Sequence, residues 1–149
     1  MNRLEEITLS LMGLDVGTTG CKALVFSPEG RVISYGYREY PLVHPRPGWS
    51  ELDPVVLWRS IWDVIAESVE DAGPDRVTAL CVSVQGEAVI PVASNGQALC
   101  NFVVTFDDRT IPQWKWWEKT FGKEKIFAIT GMPLHPMYSL NKIKLSSVR

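Results

Sequence analysis

An aspartate closing an apolar run, followed at once by glycines and threonines, is a residue set able to hold phosphate, and Asp15-Val16-Gly17-Thr18-Thr19-Gly20 is such a set. Glycines let successive backbone N–H groups converge on an anion, threonine hydroxyls add donors, and a carboxylate orients Mg²⁺ directly or through water. The same residues also read as an ordinary hairpin turn, because Gly-Thr turns are frequent between strands. Residue types alone leave both readings open. Two other phosphate loops are excluded: a Walker loop needs Gly-Lys-Ser/Thr opening a helix, and a dinucleotide fingerprint needs its glycines between strand and helix. Here the turn leads into Cys21-Lys22-Ala23-Leu24-Val25-Phe26, which reads as a strand.

Other chemistries find less support. Cys21, Cys81 and Cys100 are odd in number and widely spaced, so a disulfide framework is not expected. His44 and His135 each precede a proline and stand at no metal-ligand spacing with a cysteine. Fifteen basic against seventeen acidic residues leave a net charge of -2, too little positive field to hold a phosphate polymer or an anionic membrane. No apolar stretch approaches the roughly 20 residues of a membrane helix, and the expected location is cytoplasmic. Trp114, Trp116 and Trp117 lie among Lys115 and Lys119. Trp114 and Trp117 share a helical face, so core packing is expected of them rather than membrane or base contact.

The elements that must position the turn follow from periodicity. Three antiparallel strands are expected at Ile7 to Asp15, Cys21 to Ser27 and Val32 to Tyr40. They are joined at Gly17-Thr18-Thr19-Gly20 and Pro28-Glu29-Gly30, where glycine permits a positive φ. In the second strand Cys21, Ala23 and Val25 share one face and Lys22, Leu24 and Phe26 the other, which places a mostly apolar strand near the sheet centre. Pro41 to Trp49, with three prolines and a glycine, is a loop. A helix is expected next, with Asp53 as N-cap, Pro54 first and Gly73-Pro74 closing it. Val55, Trp58, Ile61, Trp62, Ile65 and Val69 would form its apolar stripe. Strands are expected at Val77 to Val84, Ala88 to Ala93 and Asn101 to Thr105, and helices at Ile111 to Thr120, Lys123 to Thr130 and Leu140 to Ser146. With 46% apolar residues in 149, the chain can enclose one core, as one domain or part of one.

Taken together, the strand-turn-strand with its preceding acid resembles the actin-like ATPases and sugar kinases. Gly13 to Lys22 resembles the opening of the FGGY family of carbohydrate kinases. Four further stretches match in order: Gly48-Trp49-Ser50-Glu51-Leu52-Asp53-Pro54, Ser83-Val84-Gln85-Gly86-Glu87, Asp107-Asp108-Arg109-Thr110, and Thr130-Gly131-Met132-Pro133 leading to Ser139-Leu140-Asn141-Lys142. The resemblance implies an α/β fold of the actin-like, ribonuclease-H-like type, a mixed sheet with flanking helices. Residues 1–149 would form part of the first domain.

It also implies roles. Asp15 would face Mg²⁺, and Gly17, Thr18, Thr19 and Gly20 the phosphates of ATP. Gln85, Gly86 and Glu87 would line the pocket for a small-molecule sugar substrate, and Asp107 and Arg109, from the family's Trp-x-Asp-x-Arg pattern, would border it. For Glu87 a solvated charge is the alternative, and for Arg109 an ion pair with Asp107 or Asp108. Gly86-Glu87 stands where xylulokinases resembling this chain carry Met-His and glycerol kinases Arg-Glu. Thr105 replaces the pattern's tryptophan, and Met137-Tyr138 stands where glycerol kinases have an aromatic pair. A pentulose, hexulose or sugar acid is therefore expected rather than glycerol.

Family members are several times longer, and their catalytic base and second domain lie in sequence beyond that matched here. No catalytic residue is therefore assigned within these 149 residues. The chain alone is expected to be inactive, with the C-terminal kinase half as its missing partner, self-association to be tested, and exposed apolar surface where that half would cover the sheet. A non-catalytic sugar- or partner-binding remnant is the alternative. A ribonuclease-H-like nuclease would need clustered carboxylates around two metals and a basic surface, and neither is evident.

Overall fold

The computed structural model describes residues 9–74 and 76–147. They form two compact units, one from the chain up to Pro41 together with Val55–Gln85, the other from Leu42–Pro54 together with the chain from Gly86 onward.

The first unit is a mixed sheet with one helix on it. Strands β1 (Leu9–Val16), β2 (Gly20–Phe26) and β3 (Val32–Glu39) pair antiparallel in sequence. The helix α1 (Pro54–Asp71) leads to β5 (Arg76–Val84), which runs parallel to β1 and gives the order β3-β2-β1-β5. Ile7 and Thr8, expected in the first strand, lie outside the described residues. Residues paired across a ladder share a face, so Met12, Leu14 and Val16 lie level with Val25, Ala23 and Cys21, and all six are buried. Gly30 has a φ of 83°, as expected of the second turn, but Gly17 and Gly20 do not adopt positive φ. Their requirement is space: a Cβ on Gly20 would stand 2.8 Å from the Arg38 carbonyl, and one on Gly17 would stand 3.1 Å from the Gly20 carbonyl.

The helix α1 ends at Asp71, with Gly73 (φ 64°) closing the run as expected, but its buried stripe is rotated from the expected one. Leu57, Val64 and Ser68 are buried, whereas Val55, Trp58, Trp62 and Val69 are exposed. Small residues on the sheet explain the rotation. Gly36 and Ser34 admit the helix backbone closely, the Ser68 hydroxyl donates to the Ala23 carbonyl at 3.0 Å, and the Ser34 hydroxyl donates to the Ser68 carbonyl at 2.6 Å. An indole does not fit such an approach, so Trp58 and Trp62 pack edge to face on each other, outside.

β5 is the sheet's bare edge. Leu80, Val82 and Val84 continue the apolar face of Met12, Leu14 and Val16 but stay 51–61% exposed. No charge interrupts Val77–Val84 on this edge, and such an edge recruits other chains. Val82→Lys is expected to reduce concentration-dependent association of the chain in sedimentation velocity; equal association by both proteins would assign the contact to another surface.

The second unit is built around a minimal sheet, β4 (Glu51–Leu52) paired antiparallel with β6 (Phe102–Val103), and the helices α2 (Ile111–Phe121), α3 (Lys123–Thr130) and α4 (Ser139–Ser146). The strand expected at Ala88 to Ala93 does not form; isolated bridges at Val89 and Val92 stand in its place. Pro91 lacks the N–H that a ladder needs, and Glu87 at φ 65° turns the chain as it enters. The expected Asn101 to Thr105 strand shrinks to two residues. No residue of α2 is fully buried. Trp116, Trp117 and Phe121 pack on one another, and the Lys144 ammonium from α4 lies 3.4 Å from the Trp116 ring centre, while Trp114 and Trp117, the pair expected in the core, are half-buried with their indole nitrogens shielded.

Candidate functional site

In the first unit, β1 delivers Asp15 to the mouth of the Gly17–Gly20 turn. Asp15 pairs in register with Lys22 of β2, and their charges stand 3.7 Å apart, both half-exposed. The turn closes through a Gly17 N–H to Gly20 carbonyl bond of 2.9 Å. Thr19 is exposed and Thr18 half-buried. The backbone N–H groups of Thr18 and Thr19 have no hydrogen-bond partner among the described residues. Gln85, just past β5, reaches this turn: its own N–H donates to the Val16 carbonyl at 2.8 Å, and its side-chain amide meets the Thr18 hydroxyl at 3.0 Å and the Gly17 carbonyl at 3.3 Å. The Tyr40 hydroxyl donates to the same carbonyl at 2.7 Å.

In the second unit, Gly86, Glu87, Asp107 and Arg109 take defined places. Asp107 is buried, and its carboxylate accepts from the Ser50 N–H at 2.6 Å and from the Arg109 N–H, Nε and Nη2 at 2.9, 2.8 and 2.8 Å. These four bonds occupy a carboxylate's four lone-pair sites. The Arg109 guanidinium also donates to Glu51 at 2.7 Å and lies 3.9 Å from the Trp49 ring centre. Arg109 thus forms an ion pair, with Glu51 as second partner in place of Asp108. Asp108 is used otherwise, its N–H bonding the Gly48 carbonyl at 2.9 Å. A glycine is required at 48 by its φ of 75° and by the Asp108 carboxylate, which a Cβ there would meet at 3.1 Å. The Thr105 hydroxyl donates to the Gly86 carbonyl at 3.0 Å.

Glu87 is not a free solvated charge. Its carboxylate accepts from the N–H and, at 2.7 Å, from the hydroxyl of Ser139 at the start of α4, while the Lys142 ammonium donates to its carbonyl and, at 3.0 Å, to that of Met137. Lys142 is 1% exposed, and burial pushes its pKa down. The Ser139 hydroxyl and amide hold the Glu87 carboxyl below its ordinary value of 4.5. A carboxyl whose folded value lies below its unfolded one contributes stability above the unfolded value and loses it as pH falls through the folded one. The urea midpoint is therefore expected to fall as pH drops below about 4.5, and Glu87→Gln to flatten part of that fall; identical acid profiles would place the titration elsewhere. Beside Glu87 opens a cleft of about 210 Å³ walled mainly by apolar side chains, among them Leu134, Tyr138 and Leu140.

Residues 10–145 match the model of the FGGY family of carbohydrate kinases, N-terminal domain. The chain belongs to that family. Glycerol kinase 2 of Thermotoga maritima is 34% identical to this FGGY chain over 137 residues, covering 90% of it but 28% of the relative. A xylulose kinase from Rhodospirillum rubrum superposes with a TM-score of 0.89 at 26% identity over 94% of this chain and 29% of its own length. A gluconate kinase from Lactobacillus acidophilus superposes at 0.84, with 24% identity and 91% and 27% coverage. The chain therefore spans less than a third of the relatives it matches, and its fold is that of the actin-like sugar kinases. No helix among the described residues is long and apolar enough to cross a membrane.

Several of this FGGY chain's site contacts escaped sequence reasoning. Tyr40, Ser139, Lys142 and the group Trp49, Ser50 and Glu51 lie far along the chain from their partners and share no periodicity with them. The available signals were two of the motifs themselves, Gly48 to Pro54, whose density of glycine, aromatic and acid exceeds what a connecting loop needs, and Ser139 to Lys142.

Proposed function

We propose that the chain is the front part of the N-terminal domain of an ATP-dependent carbohydrate kinase that phosphorylates a pentulose, hexulose or sugar acid. The observation carrying this reading is the pair of unpartnered Thr18 and Thr19 N–H groups beside the half-exposed Asp15 carboxylate. Those residues fit Mg²⁺ and a polyphosphate. Mg²⁺ is bound through one or two carboxylates, water and substrate phosphates rather than by a protein cage, and among the described residues there is no three-ligand cluster of the cage type.

In this reading Asp15 would hold the ion, directly or through water, and the Gly17–Gly20 turn would hold phosphate by its backbone amides. The bound ion would supply charge neutralisation at the transferring phosphoryl group. Glu87 has one carboxylate oxygen committed to Ser139 and a second available to accept from a sugar hydroxyl. Asp107 and Arg109 would shape the sugar site by anchoring Ser50 and Glu51, since Asp107 has no acceptor site left for a ligand. Gly86, Thr105 and Met137 support a ketose or sugar acid over glycerol, even though the relative from Thermotoga maritima is named a glycerol kinase.

An ATP-consumption assay with Mg²⁺ against pentuloses, hexuloses, sugar acids and glycerol tests the proposal. The chain alone is expected to be silent, and the chain supplied with the remaining part of a family kinase is expected to release ADP on a ketose or sugar acid. Turnover by the chain alone would require an acid–base group within residues 1–149, with Asp108 the first suspect, since the Asp107 carboxylate is fully bonded. A preference for glycerol would overturn the substrate assignment.

A further inference from the structure

The polar contacts of Gln85 fix how the phosphate turn can work. The Gly17 carbonyl only accepts, so the Gln85 group facing it at 3.3 Å is the NH₂, and the group facing Thr18 at 3.0 Å is the oxygen. The Thr18 hydroxyl must then donate to Gln85, which commits its single proton. The Gly17 carbonyl in turn takes two donors, Gln85 and the Tyr40 hydroxyl at 2.7 Å. In a trans peptide the carbonyl and the next N–H point in opposite directions. Pinning the Gly17 carbonyl between Tyr40 and Gln85 therefore aims the Thr18 N–H away from both, and that N–H has no partner among the described residues. Burial keeps the Tyr40 phenol protonated far above neutral pH, so it remains a donor.

We propose that Gln85 and Tyr40 are positioning residues that lock the Gly17–Thr18 peptide with its N–H toward the phosphate side, and that the Thr18 hydroxyl belongs to this lock rather than to the phosphate contacts. The turn is then preorganised: the amide is already aimed before the anion arrives, and no reorientation cost falls on binding. Thr19, exposed and outside the lock, keeps its hydroxyl proton for a ligand. The inference rests on the proposed phosphate role of the turn, but the lock itself is observable without any ligand.

Two readouts on the full 149-residue chain separate the two claims. Amide hydrogen exchange reports the lock: Gln85→Ala and Tyr40→Phe should each lower protection of the Gly17 N–H, which bonds the Gly20 carbonyl, with the Met12 and Val25 amides unchanged as a check on folding. Titration with Mg·ATP and with inorganic triphosphate, followed at the Thr18 amide resonance, reports binding. Each variant should bind roughly threefold to tenfold more weakly, the effect of one net hydrogen bond. Thr18→Ser should bind like the wild type, Thr18→Val should weaken binding, and the Gln85→Ala, Thr18→Val double variant should be no weaker than Gln85→Ala alone. Additive losses, or a Thr18→Val loss with Gln85→Ala unchanged, would make the Thr18 hydroxyl a direct phosphate donor and overturn the proposal. Unchanged Gly17 protection in both Gln85→Ala and Tyr40→Phe would overturn the lock even if the wild type binds neither probe, an outcome that would by itself count against the phosphate role.

Discussion

Asp107→Ala is expected to destabilise the second unit by about 3–5 kcal/mol, the cost of removing one partner from a buried, hydrogen-bonded ion pair. The Asp107 side chain has no exposure and that of Arg109 6%, so solvent screening gives little relief. The variant would strand three Arg109 donors and the Ser50 N–H, all of which now end on Asp107. Glu51 would still accept one guanidinium bond, which keeps the loss at the low end of what a fully orphaned charge would cost. For a domain with typically 5–15 kcal/mol in hand, a loss of this size takes much of the stability. Urea unfolding monitored by tryptophan fluorescence measures it, because Trp49 lies on the Arg109 guanidinium. A change below about 1 kcal/mol would mean that the pair is exposed in solution, since exposed pairs contribute no more than that.

Gly36→Val is the second large effect, and it acts on the first unit. A Cβ at position 36 would stand 2.8 Å from the Val64 carbonyl oxygen and 3.1 Å from the Ser68 hydroxyl. The helix cannot lift away freely, because Ser68 is bonded to Ala23 on one strand and Ser34 on the next. Alanine would regain roughly 0.5–1 kcal/mol of strand propensity over glycine, yet the overlap with backbone is expected to outweigh it. Overpacking of this kind costs about 1–3 kcal/mol, and the branched valine belongs at or beyond the upper end. Thermal melts of Gly36→Ala and Gly36→Val should fall in that order below the wild type. An unchanged melting temperature in both would show that α1 can shift on the sheet without losing its seat.

The two variants act on contacts that are invisible at short range. By itself the sequence determined the hairpin β1-turn-β2, the start of α1 at Pro54 and its closure by Gly73, the positions of α2 to α4 within a residue or two, and, through five ordered motifs, the family. These features depend on local rules: alternation along a strand, the φ freedom of Gly30 and Gly73, the fixed φ of Pro54, and short stretches dense in glycine and acid. It also named Asp15 and the Gly17–Gly20 turn, because their chemistry lies within six consecutive residues.

Only the tertiary structure decided the rest. The apolar residues of α1 offered two faces, and the close approach allowed by Gly36 and Ser34 chose the one with Val64 and Ser68. Ala88 to Ala93 had strand composition, but Pro91 and the positive φ of Glu87 denied it a ladder. Gln85, Glu87 and Arg109 were located by motif, while their partners Thr18, Ser139 and Glu51 lie 67, 52 and 58 residues away. A hydrogen bond across such a distance leaves no period in the sequence, because it depends on where two elements meet and not on what either repeats. That is why the residues able to do chemistry were legible one by one, and why what each is bonded to was not.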